Sequence, residues 1–160
     1  MKYLVNGDLS NNRLLMIILS LTLLYFVFLF VTNILLYVGN IGFTYSSVVD
    51  YYLGSEETFK NPVSYRGLLE VSHFHLLGMA IGLLLVNHLT AFTGLPQGLK
   101  FFLVFVSFFS GLLDMVSGWL IRFSSPHFAY LKIASFSVFQ LSFLFLLAVS
   151  FFSLRVYNRR

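Results

Sequence analysis

The sequence has 160 residues, of which 58% are hydrophobic and only 10% charged, with 20 phenylalanines, a balance far from that of a soluble domain and suited to lipid. It has no cysteine, which excludes disulfides, thiolate metal sites, iron–sulfur clusters and thiol redox chemistry. The net charge of +4 does not point to nucleic acid, because the basic residues stand at the ends of apolar runs instead of clustering on a polar domain.

A polar stretch to Asn12 precedes an uncharged run over 14–38, long enough at about 1.5 Å per residue to cross a hydrocarbon core of roughly 30 Å. The run is too long for the apolar core of a cleaved signal, so it is predicted to stay in the membrane as a first span. Residues 39–67 hold Asp50, Glu56, Glu57, Lys60 and Arg66, with Gly54 and Pro62 as breakers, and read as a loop. Within it Ser46–Leu53 fits a short helix capped by a serine and stopped by Gly54. A second span over 69–93 turns at GLPQGLK into a third over 99–123. Ser124-Ser125-Pro126 then starts a fourth over 126–154, with Pro126 in its first turn. Neither a repeat nor a domain boundary interrupts this pattern. The prediction is an all-α polytopic membrane protein, a four-helix transmembrane bundle over 1–160 with one loop on its outer side.

Lys2, Arg13, Lys100, Arg155, Arg159 and Arg160 flank one set of span ends, and Lys60, Arg66, Arg122 and Lys132 the other. The positive-inside rule then predicts cytoplasmic termini and an external 39–67 loop. His73, His75 and His127 would lie near the outer surface, and His88 roughly 20 Å deeper.

Ionisable residues within spans are rare and mark functional positions by default. A b-type haem in a bundle needs two imidazoles from different helices and small residues beside them. On a helical wheel His75 lies near Gly78 and Gly82, so His75 with His127 is the first choice of axial pair and His73 with His127 the second. The alternative is that Gly78 and Gly82 form a small-residue packing surface and the histidines hydrogen-bond across helices. Four histidines on two spans do not suffice for two bis-histidine haems. His88 then meets a second chain, serves a quinone or packs as a hydrogen-bonded histidine. His73 and His75, two residues apart, point roughly 160° from each other on a helix, which argues against a shared zinc or copper ion. Asp114 is well inside the third span and reads either as a proton acceptor beside a quinol or as a protonated, hydrogen-bonded carboxyl. Arg122, two turns on, or a histidine is its expected partner. Trp119 and Tyr130 read as interfacial anchors.

The segments YYLGSEE, EVSHFHLLGM, NHL and LDMVSGWLIRFSSP resemble those of short four-span proteins of the bacterial inner membrane, a group with no assigned chemistry, over residues 42–154. The design is also loosely similar to the small b-haem membrane anchors of respiratory oxidoreductases, which implies haem b, quinone and a peripheral redox partner. Three functions follow as expectations: an electron-transfer subunit with haem or quinone near the outer face, a cofactor-free accessory or assembly subunit, and a proton-coupled transporter part working as an oligomer. All of them place the chain in the lipid bilayer among other membrane subunits or copies of itself.

Overall fold

The computed structural model describes residues 13–57 and 59–157. Lys2, Arg159 and Arg160, used above for orientation, lie outside these residues. Among the described residues five helices form: α1 Arg13–Asn40, α2 Tyr45–Leu53, α3 Tyr65–Ala91, α4 Gln97–Phe123 and α5 Phe128–Tyr157. No β-strand occurs among the described residues. Four of the helices, all but α2, are long and apolar enough to cross a membrane, as the runs of the sequence predicted.

The loop helix α2 begins one residue earlier than expected and its cap is Thr44, not a serine. Thr44 Oγ1 accepts the Ser47 N–H at 3.1 Å while Ser47 Oγ accepts the Thr44 N–H at 3.2 Å, a capping box with serine in place of the usual acid. Gly54 ends the helix at φ 84°, and a Cβ there would meet the Lys60 carbonyl at 2.7 Å, so only glycine fits. Pro126 does not enter the fourth span. Ala129 N–H donates to the Pro126 carbonyl at 2.9 Å and Tyr130 N–H to that of His127 at 3.3 Å, three-residue turns that delay the α-helix to Phe128.

The bundle is arranged around α5, which packs on α1, α3, α4 and the inner face of α2. Toward the end carrying the termini, Leu23, Leu83, Val86, Leu103, Phe143 and Leu146 form one apolar core. Toward the α2 end, Val48, Tyr52, Leu68, Ile121 and Ala129 form another. The only fully buried side chains of α1 are Leu23 and Tyr37. The rest of its apolar surface is suited to lipid, since no water is present at that depth to be avoided.

Candidate functional site

Between the two cores lies a cavity of about 510 Å³. α1 and α3 form its walls, α4 and α5 its floor, and Tyr51 and Tyr52 of α2 close its upper end. Several lining residues are also exposed on the outside of the bundle: Leu29 and Leu36 on α1, and Phe74, His75 and Gly78 on α3. The cavity therefore opens sideways, between α1 and α3, at the level of the hydrocarbon.

Asp114 of α4 and Lys132 of α5 meet on its floor. Lys132 Nζ is 2.8 Å from Asp114 Oδ1 and donates to the Asp114 carbonyl at 3.0 Å, and both residues are more than nine-tenths buried. Removing two charges from water costs several kcal/mol per ion, roughly offset by their attraction, so such a pair adds little net stability over apolar packing. A charge pair kept inside a membrane bundle is a functional feature by default. His75 lines the same cavity. Its Nδ1–H donates to the Val71 carbonyl at 2.9 Å, which fixes the tautomer and makes Nε2 the acceptor in the neutral ring.

Two further side chains that line the cavity carry buried polar atoms without partners. The Tyr37 ring stacks on Phe136 with centroids 3.6 Å apart, and its hydroxyl has no hydrogen-bond partner among the described residues. Gln140 has none on either Nε2 or Oε1. A buried polar atom left unpaired costs about 1–3 kcal/mol, so three of them around one cavity call for a partner outside the chain. Tyr52 reaches the same space from α2. Its hydroxyl would stand 2.9 Å from a Cβ at Gly118, so α4 needs glycine there for α2 to dock. Burial, then the negative charge of Asp114 and the neighbouring Tyr51, push the Tyr52 phenol well above the ordinary tyrosine value, so it stays neutral.

Of the residues singled out in the sequence, the structure brings His75, Gly78, Gly82 and Asp114 to this cavity. His73, His88 and His127 are not among its lining residues. His73 and His88 lie on the exposed side of α3 with their rings against Phe74 and Phe92, and His127 is exposed in the turn before α5. No group of three or more His, Asp or Glu close enough to hold a metal occurs among the described residues. The partner expected for Asp114 is corrected. Arg122 lies about 12 Å farther along α4, where its Nε donates to the Val63 carbonyl at 2.8 Å, whereas Lys132 crosses directly from α5. Trp119 is more than an anchor, because its Nε1 donates at 2.9 Å to Ser72 Oγ and Ser72 lines the cavity.

Lys132, Tyr37, Tyr52 and Gln140 escaped the sequence reading. Two carried a signal: Lys132 is a charge within the fourth apolar run, and Gln140 is the sole amide side chain between Phe128 and Tyr157. The tyrosines carried none, since tyrosine near a span end is ordinary at an interface.

Comparison with curated proteins and with solved structures gives no match. A family model described as a transmembrane helical domain matches residues 42–160, which takes in α2 to α5 and leaves α1 outside. With most of its length, the cavity floor and the α3 wall within that match, the chain belongs to the Aq_1264_TM transmembrane helical domain family.

Proposed function

We propose that the chain is a membrane subunit of an electron-transfer complex that binds a quinone head in this cavity and handles its protons through Asp114 and His75. The observation that carries the reading is the convergence of an ion pair and unpaired hydrogen-bonding atoms on a cavity open to the hydrocarbon. A quinone is an oil-soluble molecule with a polar head, so it arrives from lipid and needs polar groups at depth. The pair suits both redox forms: the Lys132 ammonium donates to a quinone carbonyl, and the Asp114 carboxylate accepts from a quinol hydroxyl. Oxidation of the quinol passes two electrons to a partner redox protein and releases two protons, one taken by the Asp114 carboxylate and the other by Nε2 of the neutral His75 ring, which lines the same cavity. The loop bearing Asp50, Glu56 and Glu57 offers that partner an acidic docking surface.

Trp119 is the only tryptophan, it is bonded to a cavity residue, and quinones quench indole emission. Titrating the protein in nanodiscs with 2-methyl-1,4-naphthoquinone should give saturable quenching. The double replacement Asp114→Leu with Lys132→Met, which keeps volume and removes both charges, should weaken binding at least about tenfold, roughly 1.4 kcal/mol. Linear, unsaturable quenching that is the same in both proteins would remove the reading.

A b-type haem is a separate proposal, favoured by one feature at His75, although His127, the second ligand first expected, is exposed in the turn before α5 and does not line the cavity. The Nδ1–H of His75 is held by a backbone carbonyl, the arrangement that orients metal-bound histidines. Low-spin haem absorbance that disappears in His75→Ala and His127→Ala but survives in His88→Ala would establish it.

A further inference from the structure

Gln140 is the most costly side chain in the cavity that the ion-pair chemistry leaves unused. It is 6% exposed, it lines the cavity, and both its donor and its acceptor are without partners among the described residues. It follows Lys132 by eight residues on the same helix, about 12 Å along the axis. Phe136 stands between them, covered by the stacked ring of Tyr37. Two polar stations are thus separated by an aromatic wall.

That spacing selects a ligand shape. Two carbonyl oxygens set para on a six-membered ring are roughly 5 Å apart, and a hydrogen bond of about 2.9 Å at each end places the donors roughly 11 Å apart. Lys132 and Gln140 stand about 12 Å apart along the axis of α5, close to that span, with the stacked Tyr37 and Phe136 rings between them. Helical side chains lean toward the N-terminus of their helix, which on α5 turns Gln140 toward Phe136 and the ion pair.

We propose that Gln140 holds the second polar end of the bound head, so that the site selects a flat ring with two opposed carbonyl or hydroxyl groups lying along the membrane normal. The inference rests on the quinone reading above. It adds a specificity-determining residue and explains why an amide is kept where leucine would pack. Nε2–H donates to the far carbonyl of the oxidised head, and Oε1 accepts from the far hydroxyl of the reduced one, so one side chain serves both forms.

The test compares 1,4-naphthoquinone with 1-tetralone, which keeps the fused ring system and one carbonyl. Affinities come from Trp119 quenching for the first and from competition against it for the second, in the full chain in nanodiscs. The wild-type protein should prefer the two-ended probe by about tenfold. Gln140→Leu should reduce that preference to within about twofold while leaving tetralone affinity unchanged, and the ligand-free variant should melt at or above the wild-type temperature because an unpaired buried amide has been removed. Gln140→Met provides a second apolar variant of similar length should leucine impair folding. A preference that survives in the variants overturns the inference. So does equal weakening of both probes or a lowered melting temperature, since either marks Gln140 as a packing residue. If the wild-type protein saturably binds neither probe, the quinone reading itself fails and takes this one with it.

Discussion

The two halves of the bundle both bury polar residues, and they do so differently. Toward the termini, Ser107, Thr90 and Ser150 are almost completely enclosed, and each has a partner within the bundle, Ser150 Oγ being 3.4 Å from Thr90 Oγ1. Ser107 donates to the Val104 carbonyl at 3.0 Å and Thr90 to that of Val86 at 3.0 Å. Asn87 ties α3 to α4 by donating to the Leu83 carbonyl and to Ser107 Oγ, while its Oδ1 is left without a partner among the described residues but borders no part of the cavity. These are small side chains that let helices approach closely and return their hydroxyls to the backbone. Toward α2, Ser117 and Ser135 return their hydroxyls to their own helix in the same way, but that half also buries Tyr37, Asp114, Lys132 and Gln140, which pair across helices or not at all and border a cavity. Buried polarity alone therefore does not mark a site in a membrane bundle. Unpaired polarity beside space does.

The first way to test this contrast is all-or-none. Reporter fusions at Gly54 and after Arg160 should report opposite compartments, because an odd number of spans, α3, α4 and α5, separates them. Cytoplasmic signal at the C-terminus would agree with the charge asymmetry of the sequence. Signal from the same side at both positions breaks the arrangement of the cavity between two membrane faces.

Next in size is the ion pair. Lys132→Met alone leaves a buried carboxylate unpaired and should destabilise the protein by about 3–5 kcal/mol, whereas the Asp114→Leu, Lys132→Met double variant should return close to wild-type stability. Denaturant or thermal melts of the three proteins measure the difference. A single variant as stable as the double would mean that the charges are not buried against each other. Ser107→Ala, in the other half, should cost only about 1 kcal/mol and leave quinone binding intact.

Gly78→Leu sharpens the comparison without unsettling the fold. A Cβ at Gly78 meets nothing within 4 Å, yet the residue lines the cavity mouth. A leucine there should fill the space and weaken naphthoquinone binding about tenfold, roughly 1.4 kcal/mol, with little change in melting temperature. Unchanged affinity would place the ligand elsewhere. The smallest effect concerns pH. The Tyr52 phenol is raised in the folded state, so its contribution to stability is fully present below the ordinary tyrosine value near about 10 and is lost as pH rises from there toward the folded value. Tyr52→Phe should flatten the alkaline limb of a stability–pH curve by a fraction of a kcal/mol to about 1 kcal/mol. An identical limb in the variant would show that Tyr52 does not titrate with unfolding.

The spans were readable in the sequence because hydropathy and length alone determine whether a helix fits the bilayer, and α1, α3, α4 and α5 depart from the expected runs by only a few residues at their ends. Half of the candidate site was readable for a related reason: His75, Gly78 and Gly82 share a face by helical periodicity. What joins α4 to α5 was not. Lys132 stands six residues past Pro126, within the distance over which a lysine commonly snorkels to the interface, and so it read as an end charge. Only the rotation of α5 against α4, set by packing of residues such as Phe139 near Gly111, turns it inward to Asp114. Tyr37 and Gln140 depend on that same rotation and on how α1 leans on α5, which no single-helix pattern encodes.

The most direct measurement of the central claim is photo-labelling of the membrane-embedded protein with an azido-naphthoquinone, followed by peptide mapping. The account predicts label confined to cavity residues of α1, α3 and α5, among them Tyr37, Met79 and Phe136, and its suppression by excess unlabelled naphthoquinone and by Gly78→Leu. Label spread along the lipid-facing surfaces, or undiminished by competitor, would contradict it.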